Sequence, residues 1–251
     1  MAYAQAADPG PRAGGAAFMP RYDFTMSAAL LGHEDERFTW DTHWAGDFDL
    51  VDYVHGRATF VLDYQAILGS EFRPFDPYQS NYLLEAIGTA RLPAAVEVGL
   101  ILNHVSRHLG DRFKRVAVAE NSLGLRVWKN VALGGAGARP TTLALRGDLR
   151  KVIARAYDDY TWMSEIDIEA RRRVHPHATF FGHLVGTGIL VDPEIANRER
   201  QYGGRAEIGI SLEGDRGAVE FFGGFERMID ADPLDRTPRK WAMFGFRLRG
   251  R

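Results

Sequence analysis

The chain has no cysteine among its 251 residues. That excludes disulfides, thiolate metal ligands and cysteine nucleophiles, and it is compatible with passage through an oxidising periplasm. No run approaches the ~20 apolar residues that a membrane helix needs. An excess of one sign of charge is also missing. Lys and Arg total 31 against 33 Asp and Glu, a formal net charge of −2, so no basic face offers itself to nucleic acid. Helical periodicity is scarce. What is there is 45% hydrophobic and 25% charged, too apolar for a disordered chain. The lack of long apolar runs does not argue against a membrane β-barrel, which hides its apolar surface in every second residue.

Alternation of period two runs through nearly the whole sequence. Tyr22 to Leu31 puts Tyr22, Phe24, Met26, Ala28 and Leu30 on one face. Phe38 to Leu50 has Phe38, Trp40, Trp44, Phe48 and Leu50 in phase. In Arg57 to Leu68, Ala58, Phe60, Leu62 and Tyr64 oppose Thr59, Asp63 and Gln65. Further runs are Asn81 to Arg91, Val96 to Arg107, Asn121 to Val127, Leu143 to Tyr157 and Thr161 to Arg171. Ala178 to Leu190, Arg205 to Leu212, Ala218 to Arg227 and Lys240 to Arg249 complete them. The total is about twelve strands by the period-two rule.

Several runs reach ten or more residues. Soluble strands average ~5–6 and tilted membrane strands need ~9–11. The second face of strand after strand is charged, with no second apolar face. The expected fold is therefore all-β, an antiparallel transmembrane β-barrel of about twelve strands, greasy outside and polar inside. Its place is the bacterial outer membrane and its partner is membrane lipid. Residues 21–251 form the barrel. Residues 1–20, rich in Ala, Gly and Pro, form a flexible start, and Ala2-Tyr3-Ala4-Gln5 within it reads either as a signal-peptide remnant or as chance. Trp40, Trp44, Trp128, Trp162 and Trp241 are candidates for interfacial girdles or for buried packing. With the N-terminus periplasmic, the longer and more charged connections fall on the outer side, as such barrels require.

One hairpin carries chemistry. His104 and Ser106 share the greasy face of their strand with Val98, Leu100 and Leu102. Asn121 is in phase with Leu123, Leu125 and Val127 on the next. Polar groups on a lipid-facing wall make sense if the substrate is itself lipid. The expected roles are Ser106 as nucleophile, His104 as base and Asn121 holding the imidazole tautomer, with backbone N–H groups near Gly110 as an oxyanion hole.

The His104-x-Ser106 pair with a following amide resembles the outer-membrane phospholipase A barrels, which have twelve strands and a lipid-facing His, Ser and Asn. That resemblance implies a lipid-ester hydrolase, calcium near the site and a homodimer, with Asp111 the nearby carboxylate for calcium. The hairpin is also similar to the lipid A deacylase barrels, where a Glu completes His-x-Ser. Glu120 is the matching acid here, but its phase places it with Ser122 and Arg126, toward the lumen. The longer string His104-x-Ser106-x-His108-Leu109-Gly110-Asp111 resembles a family of outer-membrane barrels with an HxSxHLGD-like sequence and no established activity, over about Arg57 to Trp128.

Other readings stay open. His104 and Ser106 at a barrel rim can simply sit among lipid headgroups, and His104, His108 and Asp111 are zinc-ligand types. The charged face, with Asp63, Glu85, Arg126, Arg146, Asp148, Arg150, Glu165, Asp167, Glu169, Arg171, Glu207, Glu220 and Glu226, either plugs the lumen with ion pairs or lines a pore. Mixed signs favour the plug. The alternative to a hydrolase is a non-catalytic barrel, either a narrow solute channel or a structural membrane component.

Overall fold

The structure is a computed structural model that describes residues 15–32, 34–110, 118–134 and 141–250. Twelve antiparallel strands close into one barrel: β1 (Ala17–Gly32), β2 (Trp40–Tyr53), β3 (Gly56–Gly69), β4 (Asp76–Leu92), β5 (Val96–Leu109), β6 (Val118–Leu133), β7 (Thr141–Ala156), β8 (Tyr160–His175), β9 (Ala178–Val191), β10 (Gln201–Glu213), β11 (Gly217–Met228) and β12 (Arg239–Gly250). Each strand pairs with its sequence neighbours. Closure is made by β1 against β12, from Phe24 opposite Gly250 to Gly32 opposite Ala242. No backbone edge is left, which is the condition for β-structure to enter hydrocarbon. Strands run from 12 to 17 residues, long enough to cross a bilayer at a tilt.

The expected alternation is realised. Leu100, Leu102, Leu125, Leu149, Ile166, Ile208, Phe225 and Phe244 are exposed on the outside. Asp63, Glu85, Asn103, Arg126, Asp148 and Glu207, one residue out of phase with such neighbours, are buried inside. In water this exterior would be a large unfavourable apolar surface; against acyl chains it is the matching solvent. The barrel is a membrane-spanning one. Among the described residues no helix is long and apolar enough to cross a membrane, and the crossing is made by strands.

Four details differ from the sequence expectation. β1 begins at Ala17, so 17–20 is strand, and β4 begins at Asp76 rather than near Asn81. Phe38, expected in phase with the lipid-facing Trp40, is fully buried in the loop before β2. There it stacks on Trp241 (5.8 Å between ring centroids) and meets Tyr78 edge-on (5.5 Å). Trp128 and Trp241 point inward and Trp40, Trp44 and Trp162 outward, so only three of the five Trp are placed for a girdle. Gly99 makes room for Trp128, because a Cβ there would lie 2.9 Å from its ring. Finally, the inner face is not wholly polar. Leu31, Phe38, Ile67, Tyr78, Ala231 and Trp241 cluster near the mouth, and Met243, Ala29, Phe222 and Phe181 carry the cluster deeper.

Ion networks fill the rest of the lumen. Arg126 lies between Glu85 (2.5 Å) and Asp148 (2.7 Å). Arg146 meets Glu165 and Asp167, and Arg205 bonds Glu207 at 2.5 Å. Arg171, Arg247 and Arg249 converge on Glu220 at 2.8, 3.0 and 3.3 Å. All of these pairs except Arg205–Glu207, which lies within β10, span neighbouring or more distant strands, so the charges tie the barrel wall together from within. Removing one partner of such a buried pair costs ~3–5 kcal/mol because the other charge is stranded.

One mouth of the barrel is folded over by its own connections. Residues 229–238 turn inward and bury Asp230, Ala231 and Asp232. Arg198 reaches Asp159 at 2.6 Å and Asp230 at 2.7 Å, Arg236 reaches Asp159 at 2.9 Å, and Tyr160 donates its hydroxyl to Asp230 at 2.6 Å. Burial pushes the Asp232 carboxyl up, but the Tyr78 hydroxyl, the Leu234 and Asp235 N–H groups and Arg37 outweigh it and hold it below the usual range. The Arg37 guanidinium, 2.6 Å away, brings Asp35 down to about 2.

Candidate functional site

The β5–β6 hairpin places the expected residues by register. His104 lies directly across from Asn121, Ser106 across from Ala119, and Asn103 across from Ser122. On the other side of β5, Tyr82 faces Ser106, Leu84 faces His104 and Ser80 faces His108. His104, Ser106, His108 and Asn121 therefore share the outer wall with Leu100, Leu102 and Leu123. They lie toward the end of the barrel at which β5 reaches Leu109 and that residues 229–238 fold over. Glu120, the alternative acid, points into the lumen and is only 4% exposed.

Two hydrogen-bonded pairs result. His104 Nδ1 and Asn121 Oδ1 are 2.8 Å apart. An Nδ1–H donating to this amide oxygen fixes the ring and leaves Nε2 as the unprotonated nitrogen. The Ser106 hydroxyl, however, is hydrogen-bonded to His108 Nε2 at 2.7 Å. The expectation that His104 is the base touching Ser106 is corrected to this extent: the imidazole in contact with the hydroxyl is His108. Both His lie two residues from Ser106 on the same face, and the sequence contained that symmetry. Which of them engages the hydroxyl depends on side-chain rotamers that period-two reasoning does not reach.

Of the backbone N–H groups near Gly110 expected to form an oxyanion hole, Gly110's own is already engaged. The Gly110 N–H donates to the Tyr78 carbonyl at 2.8 Å and belongs to the β4–β5 pairing. Asp111, the calcium candidate, lies outside the described residues. Among the described residues no group of three His, Asp or Glu is placed to hold a metal ion.

An aromatic row that the sequence did not reveal ends at this site. Trp44 pairs across β2–β3 with Tyr64, Tyr64 across β3–β4 with Tyr82, and Tyr82 across β4–β5 with Ser106. Ring centroids are 5.6 Å apart for Trp44 and Tyr64, and 5.1 Å for Tyr64 and Tyr82. Tyr82 then meets the His108 ring edge-on at 5.5 Å and 79°. Tyr64 shares a hydrogen bond with Ser80 at 3.1 Å. Amphipathic rings of this kind favour the boundary between acyl chains and headgroups.

No family model matches the chain, and no curated protein does. Solved structures do match over most of its length. The outer membrane protein Omp33 of Acinetobacter baumannii is 11% identical with a TM-score of 0.41, covering 92% of this chain and 97% of that one. OmpT, an outer membrane protein of Vibrio cholerae, is 9% identical with a TM-score of 0.43, covering 92% and 96%. The translocator domain of the autotransporter NalP from Neisseria meningitidis is 9% identical with a TM-score of 0.41, covering 92% and 88%. At these scores the likeness carries nothing about activity, and the functional reading rests on the residues of this chain.

Proposed function

We propose that this chain is an outer-membrane hydrolase of lipid esters, with Ser106 as nucleophile on the lipid-facing wall. The observation that carries the reading is the 2.7 Å contact between the Ser106 hydroxyl and His108 Nε2 at the end of an interfacial aromatic row. In the reaction the Ser106 oxygen attacks the ester carbonyl while its proton passes to His108 Nε2. The tetrahedral intermediate collapses, the carbon–oxygen bond to the alcohol breaks, and His108 returns the proton to the leaving alkoxide. Water, deprotonated by the same imidazole, then frees the acid. His104, held by Asn121, is the second imidazole beside the reacting carbonyl and the positioning group of the site. The outer membrane is where closed barrels with a charged interior and an apolar belt reside.

The test is release of fatty acid from ester-linked phospholipid in mixed micelles by the purified protein and by Ser106→Ala. Loss of turnover in the variant is expected; equal rates would remove the assignment. A second reading, a non-catalytic structural barrel, draws support from a lumen crossed by ion networks that need nothing from Ser106. The same networks argue against an open solute channel.

A further inference from the structure

The lumen holds two chambers, one above the other. The upper one, about 270 Å³, lies under the mouth connections. Asp63, Arg150, Glu165 and Arg205 border both chambers and form the shelf between them. One wall of the upper chamber has its polar groups spent: Asn81 donates to Gln65 at 2.8 Å, and Gln65 donates to Asp41 at 2.8 Å.

The facing wall is different. Glu120 is 4% exposed, lines the chamber, and its Oε2 has no hydrogen-bond partner. Arg150 is 6% exposed, lines the same chamber, and its Nε has none either. Its one ion pair among the described residues, with Glu165, is 3.9 Å long. No ion pair joins Glu120 to a cation among the described residues, whereas Glu85, Glu207 and Glu220 in the same lumen each close on an arginine. A buried charge with unused hydrogen-bonding capacity is costly, and two of opposite sign on one cavity wall call for an occupant that satisfies both. Above them Asp158 and Arg107 repeat the two signs at the chamber rim, so a ligand of one sign would meet repulsion wherever it met attraction.

We propose that the upper chamber is a binding site for a small zwitterion, its ammonium on Glu120 and its carboxylate or other anionic group on Arg150. The volume far exceeds that of one bridging water and suits a solute of a few heavy atoms. This site lies on the opposite face of the wall from Ser106 and stands whether or not that residue is a nucleophile.

The test is calorimetric titration of the full-length protein, folded in detergent, with glycine and 4-aminobutyrate as zwitterions. Methylammonium, acetate and glycerol supply the cation, anion and neutral controls. Saturable binding of at least one zwitterion is expected, at least tenfold tighter than any control. Glu120→Gln and Arg150→Gln should each weaken it tenfold or more, while Ile208→Ala on the lipid face binds as the wild type does. Equal response to all five probes, or to none, overturns the proposal, as does full binding by Glu120→Gln. If the substituted barrels fail to fold, the wild-type panel decides alone.

Discussion

The two faces of the β5–β6 hairpin are built from interleaved residues yet follow opposite rules. Inside, Asn103 donates to Glu85, and Arg126 locks Glu85 to Asp148 on another strand. These charges reach across the sheet, with Glu120 the exception. Outside, His104 bonds Asn121 directly opposite, and Ser106 bonds His108 two residues along its own strand. Nothing outside ties distant strands together. Polar groups within the lumen hold the cylinder closed; polar groups on the lipid wall hold only each other. A lipid-facing hydroxyl and imidazole contribute little to closure and cost desolvation, which supports the proposed hydrolytic role of the outer set.

Substitutions on the two faces should therefore separate activity from stability. The largest effect expected is Ser106→Ala, which should lower lipid-ester turnover about 10⁴-fold, some 5.5 kcal/mol in barrier, while thermal unfolding in detergent moves by less than about 0.5 kcal/mol. A large loss of stability would make Ser106 a structural residue. Arg126→Leu should do the reverse. It strands Glu85 and Asp148 and should cost ~3–5 kcal/mol in urea unfolding, with turnover per folded molecule unchanged. A neutral result there would break the contrast from the inside.

The outer pair of imidazoles sharpens it further. His108→Gln should cost about 10²–10³-fold in turnover and His104→Gln about tenfold, because the hydroxyl proton goes to the ring it touches. The opposite ranking, read from kcat of the two variants, would return the base role to His104. The smallest effect belongs to the mouth. Asp35 is held down to about 2 by Arg37, so the pair contributes stability at and above the ordinary carboxylate value of 3.8 and loses it as pH falls toward about 2. Partly exposed, it should contribute under about 1 kcal/mol. Acid unfolding curves of the wild type and Asp35→Asn should differ near neutrality and converge by pH 2; a constant offset would show that the pair does not titrate there.

Much of this was legible in residues whose environment repeats every second position. Leu100, Leu102, Leu123 and Leu125 face lipid, and Asn121 and Glu120 fall on opposite sides, because parity alone decides it. Parity also held the answer for Trp128 and Trp241: each is one step out of phase with an apolar neighbour, Val127 and Ala242, and each points inward. Other features were hidden. Register shifts such as Asp49/Val51 and Tyr160/Trp162 reset the phase locally, and no composition signal announces them. Phe38 left the outer face because its loop, not its strand, sets its direction.

By itself the sequence determined an antiparallel barrel with an apolar exterior, and it put His104, Ser106 and Asn121 together on that exterior, because side-chain direction along a strand is a local property. Only the tertiary structure decided that His104 meets Asn121, that Ser106 meets His108 beneath the Trp44–Tyr64–Tyr82 row, and that Glu120 and Arg150 share a chamber without pairing. Those facts depend on the stagger between strands and on closure of the cylinder, which are set by the whole set of cross-strand contacts at once.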